Sequence, residues 1–365
     1  MEHLDIHRHT HMGMKGYFKL ETFKGIRVVT KDPLLPNFVE PEDAPMPVLV
    51  FPGTHRVRQD WAPNRILNSG KDVMGTQANW LTHCQVGTDA TTPAVGQSAL
   101  LAFLVATSTI EETITGAQGT IPYYMYKRVR YRFAQGDAAG NLNEVGTGYT
   151  ATPTGTPLIC RHRTRNSTGV YATITVASDE YLDVSYELRY YPPLNDVVED
   201  TPTLILNGVG YDTVTRASQV TSNIATRIGT KMGVYVTATG DWNAWDGEIG
   251  AITGTPVGNS ASCDNTNHTN GTYNNGTYQV TMTANCGPTG WNLGAGIRSI
   301  RIMTAAGNFQ TRFGAHSGDA TIPKTSAYTM ALTWTLSWGE YIGIQAVPAT
   351  YTMTGVAAQL DKVVP

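Results

Sequence analysis

The residue types best suited to chemistry lie in DWNAWDGE, residues 241–248, where Asp241, Asp246 and Glu248 flank Trp242 and Trp245. Two carboxyls beside an aromatic platform are what glycoside cleavage uses: one protonates the leaving oxygen and the other activates water or meets the anomeric carbon. The same residues suit two readings without chemistry. Indole faces stack on sugar rings, which makes Trp242, Trp245, Asp241 and Asp246 candidate glycan contacts, and an aromatic loop also plugs into a protein neighbour. A purely structural loop is the plainest reading.

His7, His9 and His11 alternate within MEHLDIHRHTHM and could ligate a metal from an extended backbone. The sequence supplies no carboxylate at fixed spacing beside them, so neither a metal nor any other cofactor is assigned. The loop in CQVGTDATTPAVGQSALLAF, residues 84–103, holds Gly87 and Gly96 but lacks the Gly-Lys pair of a phosphate loop. GTGYTA at 146–151 and GVGYDT at 208–213 lack the third glycine of a dinucleotide fingerprint and read as turns. No G-x-S-x-G elbow and no H-E-x-x-H appears. With no catalytic residue to assign, the chain is read as something other than an enzyme.

Composition narrows the partners. A formal charge of -3 lacks the excess of Lys and Arg that phosphate recognition needs, which argues against nucleic acid. The longest apolar run, Ala99 to Ala106, is far short of the ~20 residues that cross a bilayer, and no signal peptide is expected. Four scattered cysteines make no disulfide scaffold; Cys84 and Cys160 read as small buried residues, and whether Cys263 and Cys286 are bridged stays open.

Charged residues are only 15%, against roughly 25% in an average soluble protein, and glycine stands at 37 positions, which favours sheets joined by tight turns. The expected fold class is all-β, two sandwich-like domains with one or two short helices in the first. Residues 1–13 read as a mobile arm, 14–200 as the first domain, 201–345 as the second and 346–365 as a C-terminal arm. The boundary near 200 rests on the proline-rich and acidic stretch Tyr191 to Thr203. A helical turn after Asn68 is expected to start on Ser69 and stop at Gly75, and a second helix to start at Thr92 and Pro93.

Alternation supplies the strands. Residues 170–176 and 182–190 alternate about a turn at 178–180 and read as a hairpin. From Met125 to Phe133 the apolar positions face one way and Arg128, Arg130 and Arg132 the other, a stripe that is a solvated sheet face or a contact for an acidic partner. Tyr328, Met330, Leu332, Trp334, Leu336 and Trp338 share one face of a late strand, which implies sheet-on-sheet packing. Further strands are expected at 203–206, 232–238, 278–284 and 297–303, with a long polar loop over 262–278.

Five stretches together resemble the recurring segments of tailed-bacteriophage virion structural proteins of the minor tail, tail fibre or baseplate kind. They are WAPNRILNSGKDVMG (61–75), CQVGTDATTPAVGQSALLAF (84–103), FAQGDAAGNLNEVGTG (133–148), SDEYLDVSYELRYYPP (178–193) and IPKTSAYTMALTWTLSWGEY (322–341). The resemblance spans most of residues 14–200 and the C-terminal strand region and is weak over 201–296. It implies an assembly protein of the virion whose partners are other copies of itself and neighbouring tail or neck proteins, with no catalytic residue to transfer. Tyr126, Arg128, Arg130 and Arg132 then become the candidate interface. A receptor-binding tail protein holding a host-surface glycan is the alternative, and a polysaccharide hydrolase a further one.

Overall fold

The computed structural model describes residues 2–27, 48–51, 53–152, 157–193, 196–206, 209–232, 242–262, 268–315 and 321–341. Over these residues the chain is all-β and sandwich-like, with two short helices. After β1 (Glu2–Phe23), a small ribbon pairs β2 (Gly25–Arg27) with β3 (Val48–Val50), and β4 (Arg56–Pro63) returns beside β1. Then come β5 (Arg65–Ile66), α1 (Asn68–Thr76), β6 (His83–Gly87), β7 (Phe103–Thr107), and a hairpin of β8 (Ile110–Gln118) and β9 (Tyr124–Phe133). β10 (Gly140–Leu142), β11 (Glu144–Gly148), β12 (Cys160–Arg163) and β13 (Ile174–Val176) lead into β14 (Tyr181–Tyr191). A further hairpin of β15 (Val197–Leu206) and β16 (Val209–Ser218) precedes α2 (Ser222–Ala225), β17 (Trp242–Trp245), β18 (Ser260–Ser262) and β19 (His268–Asn270). β20 (Gln279–Cys286), β21 (Ser299–Thr304), β22 (Gly307–Ala315) and β23 (Tyr328–Glu340) complete the described chain.

Three sheets carry the architecture. The main sheet has the order β19-β20-β23-β1-β14-β9-β8, with β4 joined to β1 where β23 ends. A five-stranded sheet runs β5-β12-β11-β6-β7 and a six-stranded one β15-β16-β22-β21-β17-β18. The inner face of the main sheet packs on both. Toward the five-stranded sheet the Phe18 ring lies 5.8 Å from His162, and toward the six-stranded sheet Trp334 lies 6.1 Å from Phe309. One continuous apolar core joins the three.

The expected mobile arm is therefore corrected. Residues 2–14 run parallel beside β23, and residues 13–23 run antiparallel beside β14. Apolar residues are sparse there, which hid the period of two, but the polar members of the inner face find partners. The Arg8 guanidinium lies over the Phe313 ring at 5.6 Å, and the Thr10 hydroxyl accepts from Trp334 Nε1 at 2.9 Å. The boundary near residue 200 does not divide the main sheet either, because β19, β20 and β23 lie in one sheet with β1, β14, β9 and β8. A 22-residue strand spans about 70 Å and is long enough to pair with both halves of the chain. Residues 346–365 lie outside the described residues, as does most of the expected strand at 232–238.

Local expectations fared unevenly. β23 buries Met330, Leu332, Trp334, Leu336 and Trp338 as its alternation implies, and β9 buries Met125, Val129, Tyr131 and Phe133. The hairpin expected over 170–190 does not form: β13 pairs with β10, while β14 pairs with β1 and β9. Both strands have the right period, but the turn between them passes the chain from one sheet to another. α1 forms with Leu67, not Ser69, at its N-cap, and the Ser69 hydroxyl instead reaches the Gln97 and Leu158 carbonyls. Gly70 is needed in α1 because a Cβ there would stand 2.1 Å from the Ile159 carbonyl oxygen.

The helix expected from Thr92 is absent; residues 88–102 form an irregular loop, with Leu100 buried and Leu101 exposed. Tertiary contacts override local propensity here. Glu144 accepts the Leu101 and Ala102 amides at 3.1 and 2.7 Å, which holds the backbone extended, and its carboxylate pairs with the fully buried Arg161 at 2.7 Å. The Arg161 guanidinium also donates to Gln97 and Asp89 of the loop, at 3.0 and 3.2 Å. A side-chain network inside the protein thus fills the loop that lacks the Gly-Lys pair of a phosphate loop.

A second buried polar group ties β4 to β12. His162 lies with Nδ1 3.1 Å from the Pro63 carbonyl and Nε2 3.1 Å from the Gln59 side-chain oxygen. Burial first, then the nearby Arg165 guanidinium, pushes this imidazole down to about 3, against a smaller opposing effect of the Pro63 carbonyl. It is neutral in the folded protein and takes a proton in the unfolded chain near its ordinary value of ~6.5. Its contribution to stability is thus complete above ~6.5 and is lost as the pH falls toward 3. Unfolding free energy measured from pH 7 to pH 4 should decline with a steeper slope in the wild-type protein than in His162→Gln, and equal slopes would refute this assignment.

Candidate interface on the outer face of the main sheet

β9, β14 and β1 turn Tyr126, Arg128, Arg130, Arg132, Asp183, Glu187, Arg189, Tyr17, Lys19 and Glu21 away from the core, in register across the three strands. The pairing sets Arg132 opposite Asp183 and Arg128 opposite Glu187. Arg132 binds Asp183 through two bonds of 2.7 Å and Glu111 through a third. Burial pulls the Arg132 guanidinium down, and the Asp183 and Glu111 carboxylates more than offset it, so that it is raised on balance. Glu187, nearly fully buried, receives Arg128 on one oxygen and Arg189 on the other. Arg130 is held most loosely, 3.6 Å from Glu112.

The arginine stripe is thus a lattice of paired charges, not a free cationic patch, and that removes the acidic partner's main attraction. What remains is an arrangement of guanidinium groups and aromatic rings. Arg128 lies 4.7 Å from the Trp61 ring and 5.9 Å from Tyr126. Arg189 sits between Tyr17 at 4.4 Å and Tyr124 at 4.6 Å, and Tyr191 stacks on Tyr341 at 3.9 Å. Of the seven tryptophans in the chain, Trp61 alone is not buried. Sequence reasoning found Tyr126 and the three arginines but missed Trp61, whose only signal was an indole set among Arg56, Arg58 and Asp60.

The other candidate residues are placed differently. Trp242 and Trp245 form β17 in the six-stranded sheet and are 2% and 8% exposed, so they offer no platform to a sugar. This corrects the glycan reading: the run WNAW is short enough to pass for a loop, yet it pairs with β18 and β21. Asp241 lies outside the described residues. Asp246 accepts the Asn259 backbone amide at 2.7 Å and its side-chain amide at 2.8 Å, and Glu248 pairs with Arg298 at 2.8 Å and more distantly with Arg312. These carboxylates serve as turn and strand fasteners. Cys84 and Cys160 are buried free thiols, as expected, and burial raises both. Cys286 is disulfide-bonded, and Cys263 lies outside the described residues.

Among the described residues no group of three or more His, Cys, Asp or Glu gathers as a metal site, and no helix is long and apolar enough to cross a membrane. Compared with protein-family models, curated proteins and solved structures, the chain matches none of them.

Proposed function

We propose that this chain is a structural component of a tailed-bacteriophage virion, in the tail, neck or baseplate, and that it acts through protein-protein contacts. The resemblance of its recurring segments supports the class, and the outer face of the main sheet supports the mode. One observation carries the reading: Trp61, half-buried, lies on an arginine that Glu187 already holds in place. Trp, Tyr and Arg are the residues that dominate binding at protein interfaces, and a guanidinium fixed before contact loses little side-chain freedom on association. The burial of Trp242 and Trp245 removes the aromatic platform of the glycan alternative, and the engagement of Asp246 and Glu248 occupies two of the three carboxylates of the hydrolase alternative.

Trp61→Ala and Arg130→Glu test the proposal, since neither side chain is in the core and neither change strips Glu187 of its partners. Each should weaken incorporation of the chain into particles, by about 2 kcal/mol of contact energy or roughly thirtyfold for Trp61→Ala, at unchanged thermal stability. Particles from complementation with each variant would be weighed for the chain and imaged by cryo-electron microscopy. Full incorporation of both variants would reject this face as the interface, and failure to find the wild-type chain in any particle would reject the virion role.

A further inference from the structure

We infer that His9, His11 and Ser337 form a binding site for a single late first-row divalent metal ion, such as Zn2+, Ni2+ or Cu2+, on the outer face of β1 and β23. Residues two apart on a strand project to the same side, so His9 and His11 stand side by side, and the parallel register places Ser337 directly opposite His11. Nε2 of His9 and Nδ1 of His11 each lie 2.9 Å from the Ser337 hydroxyl oxygen. Cis ligands about 2.1 Å from one ion are separated by about 3.0 Å, so both nitrogen-oxygen separations already match a coordination edge. A serine hydroxyl has one proton to donate, and its oxygen also lies 3.3 Å from the Thr10 carbonyl, which can take that proton. The oxygen then faces both rings with its lone pairs.

Gly339 completes the setting. A Cβ at that position would stand 3.3 Å from Cε1 of His11, so the absent side chain lets the imidazole lie against β23. Imidazole nitrogen suits late divalent ions, and two imidazoles with one hydroxyl leave positions for water or for a ligand from outside the chain.

The test uses the full untagged chain. Zn2+ titrated against a chromogenic chelator should show one ion bound per chain, and His9→Ala and His11→Ala should each weaken it by about tenfold or more. His55→Ala, away from the pair, should leave it unchanged, and Ser337→Ala should weaken it less than either histidine change. Because the strand variants could disturb the sheet, the wild-type chain loaded with Cu2+ gives a second readout: its electron paramagnetic resonance spectrum should show coupling to two imidazole nitrogens. No binding at about 100 μM Zn2+, wild-type affinity retained in either histidine variant, or a spectrum with other than two imidazole nitrogens would overturn the inference.

Discussion

Glu144→Ala is expected to destabilise the protein by about 3–5 kcal/mol. Glu144 and Arg161 have no exposed side-chain surface, and one Glu144 carboxylate serves the guanidinium and two loop amides together. Truncating it leaves a buried cation short of its nearest anion and two N–H groups without their acceptor, and the loss of a partner for a buried charge outweighs the small net gain of forming the pair. The double change Glu144→Leu with Arg161→Met removes both charges, and it should recover part of the loss even though the loop amides stay orphaned. Urea unfolding of wild type, Glu144→Leu, Arg161→Met and the double variant measures this as a cycle, with Glu144→Ala beside it. A loss below about 1 kcal/mol in Glu144→Ala would show that the loop at 88–102 does not depend on this carboxylate.

Trp338→Ala should cost about as much, 3–5 kcal/mol, for a different reason. Trp338 in β23 stacks on Tyr273 with ring centres 5.4 Å apart and donates from Nε1 to the Lys71 carbonyl of α1 at 3.1 Å. Tyr273 in turn donates to Asp72 at 2.5 Å, and Asp72 also accepts the Gly276 amide. A strand from the end of the chain, a helix from its first fifth and the loop around 271–278 therefore meet on one indole. Removing that indole opens a cavity where these elements join, so calorimetry should show a single transition displaced as a whole. If the wild-type protein melted in two steps and the variant shifted only one, residues 14–200 and 201–345 would be separate folding units after all.

The candidate interface was legible in the sequence only in part. The period of two from Met125 to Phe133 identified which side of β9 faces outward, because alternation is a property of the strand alone. It could not show that Asp183 and Glu187 lie opposite the arginines, since that depends on β14 pairing with β9 across some fifty intervening residues. Nor could it show Trp61 resting on Arg128, which requires a strand three places away in the sheet. The glycan platform failed for the same kind of reason: Trp242 and Trp245 look alike as loop or strand until β18 and β21 are seen to flank them.

By itself the sequence determined that this is an all-β chain, that β23 has a heavy core face, and that no nucleotide loop or hydrolase motif is present. Those features follow from composition, local alternation and residue spacing, which short stretches carry within themselves. Only the tertiary structure decided that residues 2–23 form an inner strand, that both halves of the chain share one sheet, and that a buried carboxylate extends the loop at 88–102. Each of these is a pairing between distant residues, stabilised by burial and by satisfying polar groups away from water, and no local window holds both partners.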